Sequence, residues 1–266
     1  MKPRIGVVIP AYNQPAAVMT AINSMLALQA TRTVGYLVQD DASPDVHLPG
    51  VIPSQIAPCF RNEHNLGFAG NCNAGARAYL DPAGAPITDV LFFVNQDVYG
   101  VYGLSEGWDA ALLQAFDSDQ RVGIVGAQLR FPDGSIQNAG GTFDARCQPT
   151  HRCLGWKDAH HPAISETRDV EWTTGAALAI RSSLFYALGG FDEVYQRGYF
   201  EDVDLCLRAR ASGWLVRYAP TVRLVHTVGA SGGSPHFAAN ARTFRRRWVE
   251  TGKVKPALTS VRERFW

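Results

Sequence analysis

The sequence predicts an α/β fold in which a mainly parallel sheet is covered by helices on both faces. Over roughly the first 120 residues, short apolar runs typical of buried strands alternate with segments of helical periodicity. The run 90–94 is apolar at every position, as expected for a strand that is buried on both faces of a parallel sheet. It stops abruptly at Asn95-Gln96-Asp97, which places a carboxylate at the sheet edge where ligands bind in α/β folds.

The first half of the chain supplies most of the predicted parallel sheet. Apolar residues at Val18, Ile22 and Met25 are spaced as on one face of a helix. In chain order, the predicted elements are a strand at 6–9, a helix at 16–28, strands at 34–38 and 57–61, a helix at 68–80, a strand at 89–94 and a helix at 105–116.

The second half of the chain is predicted to extend the sheet. The predicted elements are strands at 122–131 and 171–180, helices at 182–188 and 202–211, strands at 215–218 and 222–228, and a basic helix at 237–249. The stretch 142–168 has little periodicity and is interpreted as a long loop. With no linker or repeat, we expect one domain over 1–235, with halves at about 1–120 and 121–235, and a basic helical extension at 236–266.

Composition excludes several classes of protein. The 25 Lys and Arg residues nearly balance the 24 Asp and Glu residues, so nothing indicates a nucleic-acid partner. No apolar run reaches the roughly 20 residues needed to span a bilayer, and the first run, ended by Pro10, reads as a strand rather than a signal peptide. Five cysteines without C-x-x-C spacing indicate free thiols in a reducing cytosol, with a Cys147–Cys153 pair or metal site as the less favoured alternative.

The acidic segment 199–208 is the strongest single indication of catalysis. It places Glu201, Asp202 and Asp204 among aromatic and apolar residues, where carboxylates are partly dehydrated and hold protons more strongly. A general base needs such a carboxylate. The alternative is that the three acids only stabilise the N-terminus of a helix through its dipole.

Four sequence blocks together resemble the family 2 glycosyltransferases of the GT-A fold, especially the branch with rhamnosyl- and galactofuranosyltransferases. The blocks are 7–13 with 40–43, 65–75, 91–97, and 174–176 followed by 189–193, 201–204 and His226. They cover roughly residues 4–230 in the family's order. The resemblance implies a Rossmann-like sheet with a small additional sheet near the acceptor side, and an inverting hexosyltransferase of polysaccharide or cell-envelope biosynthesis.

The resemblance implies a nucleotide site at the ends of the first two strands. Tyr12 offers a flat face for stacking on a base, and Asp41 can accept a hydrogen bond from a base N–H. The glycine in the loop 65–67 permits a close approach of the backbone to the diphosphate. The alternative is that the acids of 40–45 only cap and turn the chain. The candidate nucleotide-binding residues are Pro10, Ala11, Tyr12, Asn13, Asp41, Asn65, Gly67, Asn95 and Gln96.

The resemblance also implies a divalent cation, Mg²⁺ or Mn²⁺, on the diphosphate. Relatives commonly have Asp-x-Asp after this strand, whereas this sequence has Asn95-Gln96-Asp97. Asp97 matches the acid that binds the ion, and His226 matches a histidine that completes the site in some relatives. The departure at Asn95 lowers the number of anionic ligands. A lone histidine after an apolar strand is otherwise more often structural.

By the same resemblance, Asp202 is the expected general base and Glu201 the second choice. Asp204 is expected to pair with Arg208, one helical turn away, because it faces away from Asp202. Trp172 suits either a sugar face or a core position. The candidate acceptor-binding residues are Trp172, Thr174, Gly175, Asp192 and Glu193.

A basic segment follows these blocks, with arginines at Arg242, Arg245, Arg246 and Arg247. Such a helix suits an anionic membrane surface, the phosphates of an acceptor, a partner subunit, or only solvent. We therefore expect a cytoplasmic protein, either free or peripheral at the inner face of the membrane.

The expected reaction moves a sugar from a dTDP- or UDP-sugar donor to a hydroxyl of a glycan or a lipid-linked saccharide. One alternative is a non-catalytic nucleotide-sugar-binding relative, which the neutral Asn95 favours and the intact acidic pair at 201–202 disfavours. A sugar nucleotidyltransferase is less favoured, because the segment 10–15 lacks the glycine-rich, lysine-containing loop of that class.

Overall fold

The computed structural model describes residues 3–158, 160–227 and 235–256. The strands are β1 (Ile5–Ala11), β2 (Val34–Asp40), β3 (Cys59–Arg61), β4 (Val90–Val94), β5 (Val98–Tyr99), β6 (Val122–Arg130), β7 (Ile136–Asn138), β8 (Gly141–Phe143), β9 (Pro149–His151), β10 (Arg168–Asp169), β11 (Ala177–Arg181) and β12 (Leu215–His226). The helices are α1 (Pro15–Leu28), α2 (Leu48–Val51), α3 (Gly67–Arg77), α4 (Trp108–Asp117), α5 (Pro162–Ser165), α6 (Ser182–Ala187), α7 (Glu201–Ala211) and α8 (Phe237–Phe244). A π-helical turn (Arg245–Val249) continues α8.

The main sheet has the strand order β10-β12-β6-β11-β4-β1-β2-β3, with β5 paired to β12 and β7 to β6. Strands β4, β1, β2 and β3 run parallel to one another, whereas β11 runs antiparallel between β4 and β6. β8 and β9 form a separate small sheet. The predicted fold class is confirmed: a mixed α/β fold with a central, helix-flanked sheet and a second, small one.

Two apolar layers cover the main sheet. On one face, Ile22 of α1 and Trp108 of α4 pack against the sheet; on the other, Cys72 of α3, Phe185 of α6 and Leu205 of α7 do so. Every residue of β1 and β4 is buried, which explains why these strands are apolar throughout. In β1 and β4, polar residues therefore begin only beyond the carboxyl end of the strand.

Several predicted elements were wrong in extent. The predicted loop 142–168 contains most of β8, all of β9 and α5, and the beginning of β10, because β8 and β9 pair with each other. Of the predicted strand 171–180, only residues 177–180 lie in a strand, apart from an isolated bridge at Trp172. Strand β12 continues past Pro220, where the register shifts and accommodates the missing N–H. The basic helix changes to a π-turn at Arg245, and residue 228 of the last predicted strand lies outside the described residues.

No disulfide joins any of the described cysteines, including Cys147 and Cys153. Among the described residues, each helix is too short or too polar to cross a bilayer. Residues 257–266 of the predicted C-terminal extension lie outside the described part.

Candidate functional site

Gln96 joins the ends of β1 and β4. The backbone N–H of Tyr12 donates to its Oε1 at 2.9 Å, and its Nε2 donates back to the Tyr12 carbonyl at 3.2 Å. Pro10 and Ala11 are buried in β1, but Tyr12 is 42% exposed. The segment after β4 is therefore fixed beside an aromatic ring that is open to a flat ligand.

The amide of Asn13 closes the turn after β1. Its Nδ2 donates to Asp45 at 2.8 Å, and its Oδ1 accepts from the backbone N–H of Asp45 at 3.2 Å. The backbone N–H of Asn13 donates to Ser43. This two-way pairing locks the turns after β1 and β2 together.

The carboxylate of Asp41 holds the N-terminus of α3. It accepts hydrogen bonds from the backbone N–H groups of Leu66 and Gly67 at 2.7 and 2.9 Å and from the amide of Asn62 at 2.9 Å. Burial raises the pKa of Asp41, and these hydrogen bonds oppose the rise. A carboxylate offers about four acceptor positions, so one remains for a further donor.

Asp40 is fully buried, and Asp41 beside it is only 4% exposed. The carboxylate of Asp40 pairs with Arg61 and accepts from Ser43. Both of these contacts are internal to the fold.

The loop at 65–67 lies against the backbone of Arg197, just before the acidic segment. Gly67 has a φ of +74°, and an added Cβ would lie 2.9 Å from the backbone nitrogen of Arg197. Asn65 supports the loop because its Oδ1 accepts from the N–H of Gly67 at 3.2 Å. Only glycine permits both this backbone conformation and this close approach.

Asp97 and His226 form the pair that suits a divalent cation. Asp97 Oδ1 lies 3.1 Å from His226 Nε2, and only about a tenth of each side chain is exposed. Adjacent ligands of an octahedral Mg²⁺, each at about 2.1 Å, lie about 3 Å apart, so the separation fits. The buried Oδ1 of Asn95 has no hydrogen-bond partner, which leaves it available to a cation or its water. No group of three His, Cys, Asp or Glu side chains able to hold a metal occurs among the described residues.

Two further side chains at this edge were missed by sequence reasoning. Gln137 Oε1 lies 2.6 Å from His226 Nδ1. His151, at the end of β9, places its ring 5.0 Å from that of Trp172 and its Nδ1 3.1 Å from Asn138 Oδ1. Burial, and then the nearby His226, lower the pKa of His151 to about 4. In the sequence, only the residue type of His151 indicated a role in a site, because the stretch 142–168 shows no periodicity.

The acidic pair opens α7. The side chain of Glu201 is buried, and its Oε2 has no hydrogen-bond partner. Burial and the adjacent charge of Asp202 raise the pKa of Glu201 well above its ordinary value. Asp202 accepts from the N–H of Gly175 and from its neighbour Val203, both at 2.8 Å. Burial raises the pKa of Asp202 as well, and the hydrogen bonds oppose it.

The segment 174–176 bridges the end of β4 to this pair. The N–H of Asn95 donates to the carbonyl of Ala176 at 2.9 Å, and the N–H of Gly175 donates to Asp202. Thr174 is half-buried and accepts from the N–H of Ala176. The structure thus brings the Asn-Gln-Asp segment and the acidic pair to one edge of the sheet.

The other candidate acceptor residues use their polar groups within the fold. Trp172 is buried, and its indole donates to the carbonyl of Thr142 at 2.8 Å. Asp192 accepts from Arg247 at 2.6 Å, and Glu193 accepts from Asn73 at 2.9 Å. Contact of these residues with an acceptor stays a prediction.

Asp204 and the basic segment 242–247 differ in exposure. The predicted pairing of Asp204 with Arg208 is confirmed at 2.7 Å. Arg247 also reaches Asp204, whereas Arg242, Arg245 and Arg246 are exposed.

Comparison of the sequence with known proteins identifies relatives. Residues 108–251 match the family model described as "Glycosyltransferase like family 2". The chain is 32% identical over 243 residues to N-acetylglucosaminyl-diphospho-decaprenol L-rhamnosyltransferase of Mycobacterium tuberculosis, covering 82% of this chain and 75% of the relative. It is 27% identical to the O-antigen biosynthesis protein RfbC of Myxococcus xanthus, over 86% of this chain and 18% of that protein.

Solved structures share the fold. GalNAc-T7, crystallised with UDP, GalNAc and Mn²⁺, superposes with a TM-score of 0.69 at 18% identity over 91% of this chain. This chain spans about half of that structure, 48% of its length. The mannosyltransferase PcManGT from Pyrobaculum calidifontis, crystallised with GDP-Man and Mn²⁺, superposes with a TM-score of 0.58 at 17% identity, covering 87% of this chain and 59% of that one.

Proposed function

This chain belongs to glycosyltransferase family 2, and on that premise we propose that it transfers a sugar, with inversion, from a nucleoside diphosphate sugar to an acceptor hydroxyl. The observation that carries the proposal is the bridge from Asn95 through 174–176 to Asp202. It supports a single cleft in which a donor diphosphate near Asp97 and an acceptor near Asp202 meet at the same sugar.

The donor would occupy the ends of β1 and β2. Tyr12 would stack on the base, Asp41 would accept from a base N–H through its remaining position, and the loop 65–67 would lie against the ribose and diphosphate. The donor would be a dTDP- or UDP-sugar, and the structural neighbour GalNAc-T7 was crystallised with UDP. The name of the rhamnosyltransferase relative supports a lipid-linked saccharide acceptor, with a glycan as the alternative acceptor.

A divalent cation, Mg²⁺ or Mn²⁺, would supply neutralisation of the negative charge on the departing diphosphate. Asp97 and His226 would hold it, and Asn95 would offer a neutral oxygen. The remaining positions would fall to the diphosphate and water.

Asp202 would take the proton of the acceptor hydroxyl, an effect worth roughly 10²–10⁴-fold in rate. Its raised pKa suits this role, because a base with a pKa closer to the working pH accepts a proton more readily. Direct attack from the face opposite the diphosphate inverts the anomeric centre. Glu201 is the second choice, because its carboxylate is more deeply buried.

The two halves of the proposed domain, about 1–120 and 121–235, would serve donor and acceptor respectively. The segment from 236 onward would add a basic face of Arg242, Arg245 and Arg246 for peripheral contact with an anionic membrane surface, which suits a lipid-linked acceptor.

The test is release of nucleoside diphosphate from UDP-, dTDP- and GDP-sugars, with and without Mn²⁺. We expect Asp202→Asn to abolish transfer while donor binding, followed by thermal shift, stays nearly unchanged. Normal turnover by Asp202→Asn would refute the base assignment. Donor binding without release in the wild type would instead favour a non-catalytic binding protein, which the neutral Asn95 makes the second candidate.

A further inference from the structure

We propose that Gln137 is a positioning residue that fixes which nitrogen of His226 faces Asp97, and thereby prepares this pair for a divalent cation. The inference rests on the proposed function, in which Asp97 and His226 hold the cation. Gln137 lies on β7, in a part of the chain to which the sequence analysis assigned no role.

The contacts of Gln137 determine the orientation of its amide. Its Nε2 lies 3.4 Å from the carbonyl oxygen of His226, and its Oε1 lies 2.6 Å from His226 Nδ1. A flipped amide would point its NH₂ group at Nδ1 and its oxygen at a carbonyl oxygen, which repel each other. The side chain is only 7% exposed, so water provides little alternative.

This orientation determines the hydrogen on Nδ1. An amide oxygen only accepts hydrogen bonds, so Nδ1 of His226 must carry a hydrogen and donate it to Gln137. In the neutral ring, the lone pair is then on Nε2, the nitrogen that lies 3.1 Å from Asp97 Oδ1.

In this neutral form, the Nε2 lone pair of His226 and the carboxylate of Asp97 face each other at 3.1 Å, and only about a tenth of each side chain is exposed. These two groups repel each other, and a divalent cation between them would attract both. Neutral imidazole and carboxylate are both suitable ligands for such an ion. Hydrogen bonds to the outer nitrogen of a metal-binding histidine fix its ring and raise its basicity, and their loss typically weakens metal binding by roughly 10- to 100-fold.

A matched control exists on the adjacent strand. Gln128 of β6 is also buried, and its Nε2 donates to Tyr218 at 2.8 Å and to the carbonyl of Ile164 at 3.3 Å. No contact joins the Gln128 side chain to His226 among the described residues. Gln128→Leu and Gln137→Leu therefore remove a similar buried amide, and only the second touches the histidine.

The experiment measures Mn²⁺ affinity from the electron paramagnetic resonance signal of free Mn²⁺, with UDP present, for the wild type, Gln137→Leu, Gln137→Glu and Gln128→Leu. We expect roughly 10- to 100-fold weaker binding by Gln137→Leu. Gln137→Glu should retain most of the affinity because a carboxylate also accepts from Nδ1, and Gln128→Leu should bind as the wild type does. Wild-type affinity in Gln137→Leu, or an equal loss in Gln128→Leu, would overturn the inference.

A second readout needs no metal or activity. In the ¹⁵N NMR spectrum of the neutral His226 ring, the wild type should show the hydrogen on Nδ1, and Gln137→Leu should shift this population toward Nε2. A wild-type ring with its hydrogen on Nε2 would overturn the inference. Release of nucleoside diphosphate separates the two proposals, because a protein that transfers sugar without any dependence on Gln137 refutes only the positioning role.

Discussion

The indole N–H of Trp248 donates a hydrogen bond of 2.8 Å to Oδ1 of Asp204, two residues beyond the proposed base. Arg247 donates to the same oxygen at 2.9 Å, and Arg208 donates to the other one. Asp204 is completely buried. The C-terminal segment is therefore attached to α7 through one carboxylate, so it shares in holding the helix that presents the acidic pair.

Asp204→Asn should be strongly destabilising. The change removes the buried negative charge between Arg208 and Arg247 and leaves Arg208, whose side chain is 21% exposed, without its carboxylate, which costs about 3 kcal/mol of the free energy of unfolding. Urea denaturation measures the loss. Asp119→Asn, which breaks the exposed pair with Arg121, should change stability little. Equal effects of the two variants would contradict the anchoring role of Asp204.

Glu201→Gln should raise stability at neutral and alkaline pH. The pKa of Glu201 is raised in the folded protein, so above the ordinary value of 4.5 the unfolded chain loses its proton first. Stability of the wild type therefore falls as the pH rises from about 4.5 through the raised pKa, whereas glutamine does not titrate. Thermal unfolding between pH 4 and pH 8 should show that the stability of the variant relative to the wild type increases as the pH rises.

Glu106→Gln is a control in which the stability difference from the wild type should change with pH in the opposite direction. Hydrogen bonding to the N–H of Gly103 lowers the pKa of Glu106, so its ionised form stabilises the folded state above the ordinary pKa. This variant should lose stability relative to the wild type as the pH rises. A stability difference between Glu201→Gln and the wild type that is independent of pH would contradict the raised pKa.

Local pattern was sufficient to predict the buried strands of the N-terminal half of the fold, although not α2 or β5. Strand β4 is apolar throughout because both of its faces are covered, and such runs are visible in sequence. The insertion of β11 between β4 and β6 was not predictable, since an apolar run does not reveal the direction of its neighbours. His151 and Gln137 reach the site only through the pairing of β9 with β8 and of β7 with β6, which no periodicity in 142–168 or near 137 indicates.

Gly67→Ala should weaken nucleotide binding more than backbone strain alone explains. The added methyl group meets the backbone of Arg197 and separates the loop 65–67 from the turn before α7. Gly84→Ala is the matched control, because Gly84 has a similar φ of +82° with nothing within 4 Å. Both should lose about 1–2 kcal/mol of stability from the left-handed backbone. Only Gly67→Ala should also lose the thermal shift produced by UDP; retention of that shift would contradict the proposed contact with the donor.

Asn240→Ala should lower kcat while leaving KM for the donor nearly unchanged. The amide of Asn240, buried on α8, donates to the carbonyls of Gln196 and Gly198 at 3.0 and 2.9 Å and so fixes the turn that precedes Glu201. Loss of these bonds leaves the buried carbonyl of Gly198 unpaired, which costs about 1–3 kcal/mol, and loosens the position of the proposed base.

Asn71→Ala should instead raise KM for the donor. The buried amide of Asn71 donates to the carbonyl of Gln39 at 2.9 Å and accepts from Asn62 at 2.8 Å, so it supports the nucleotide end rather than the acidic pair. Steady-state kinetics with varied donor should therefore show a higher KM for Asn71→Ala and a lower kcat for Asn240→Ala. A lower kcat in both variants with unchanged KM would mean that the two ends of the site are not mechanically separate, and the assignment of Asn240 to the base alone would fail.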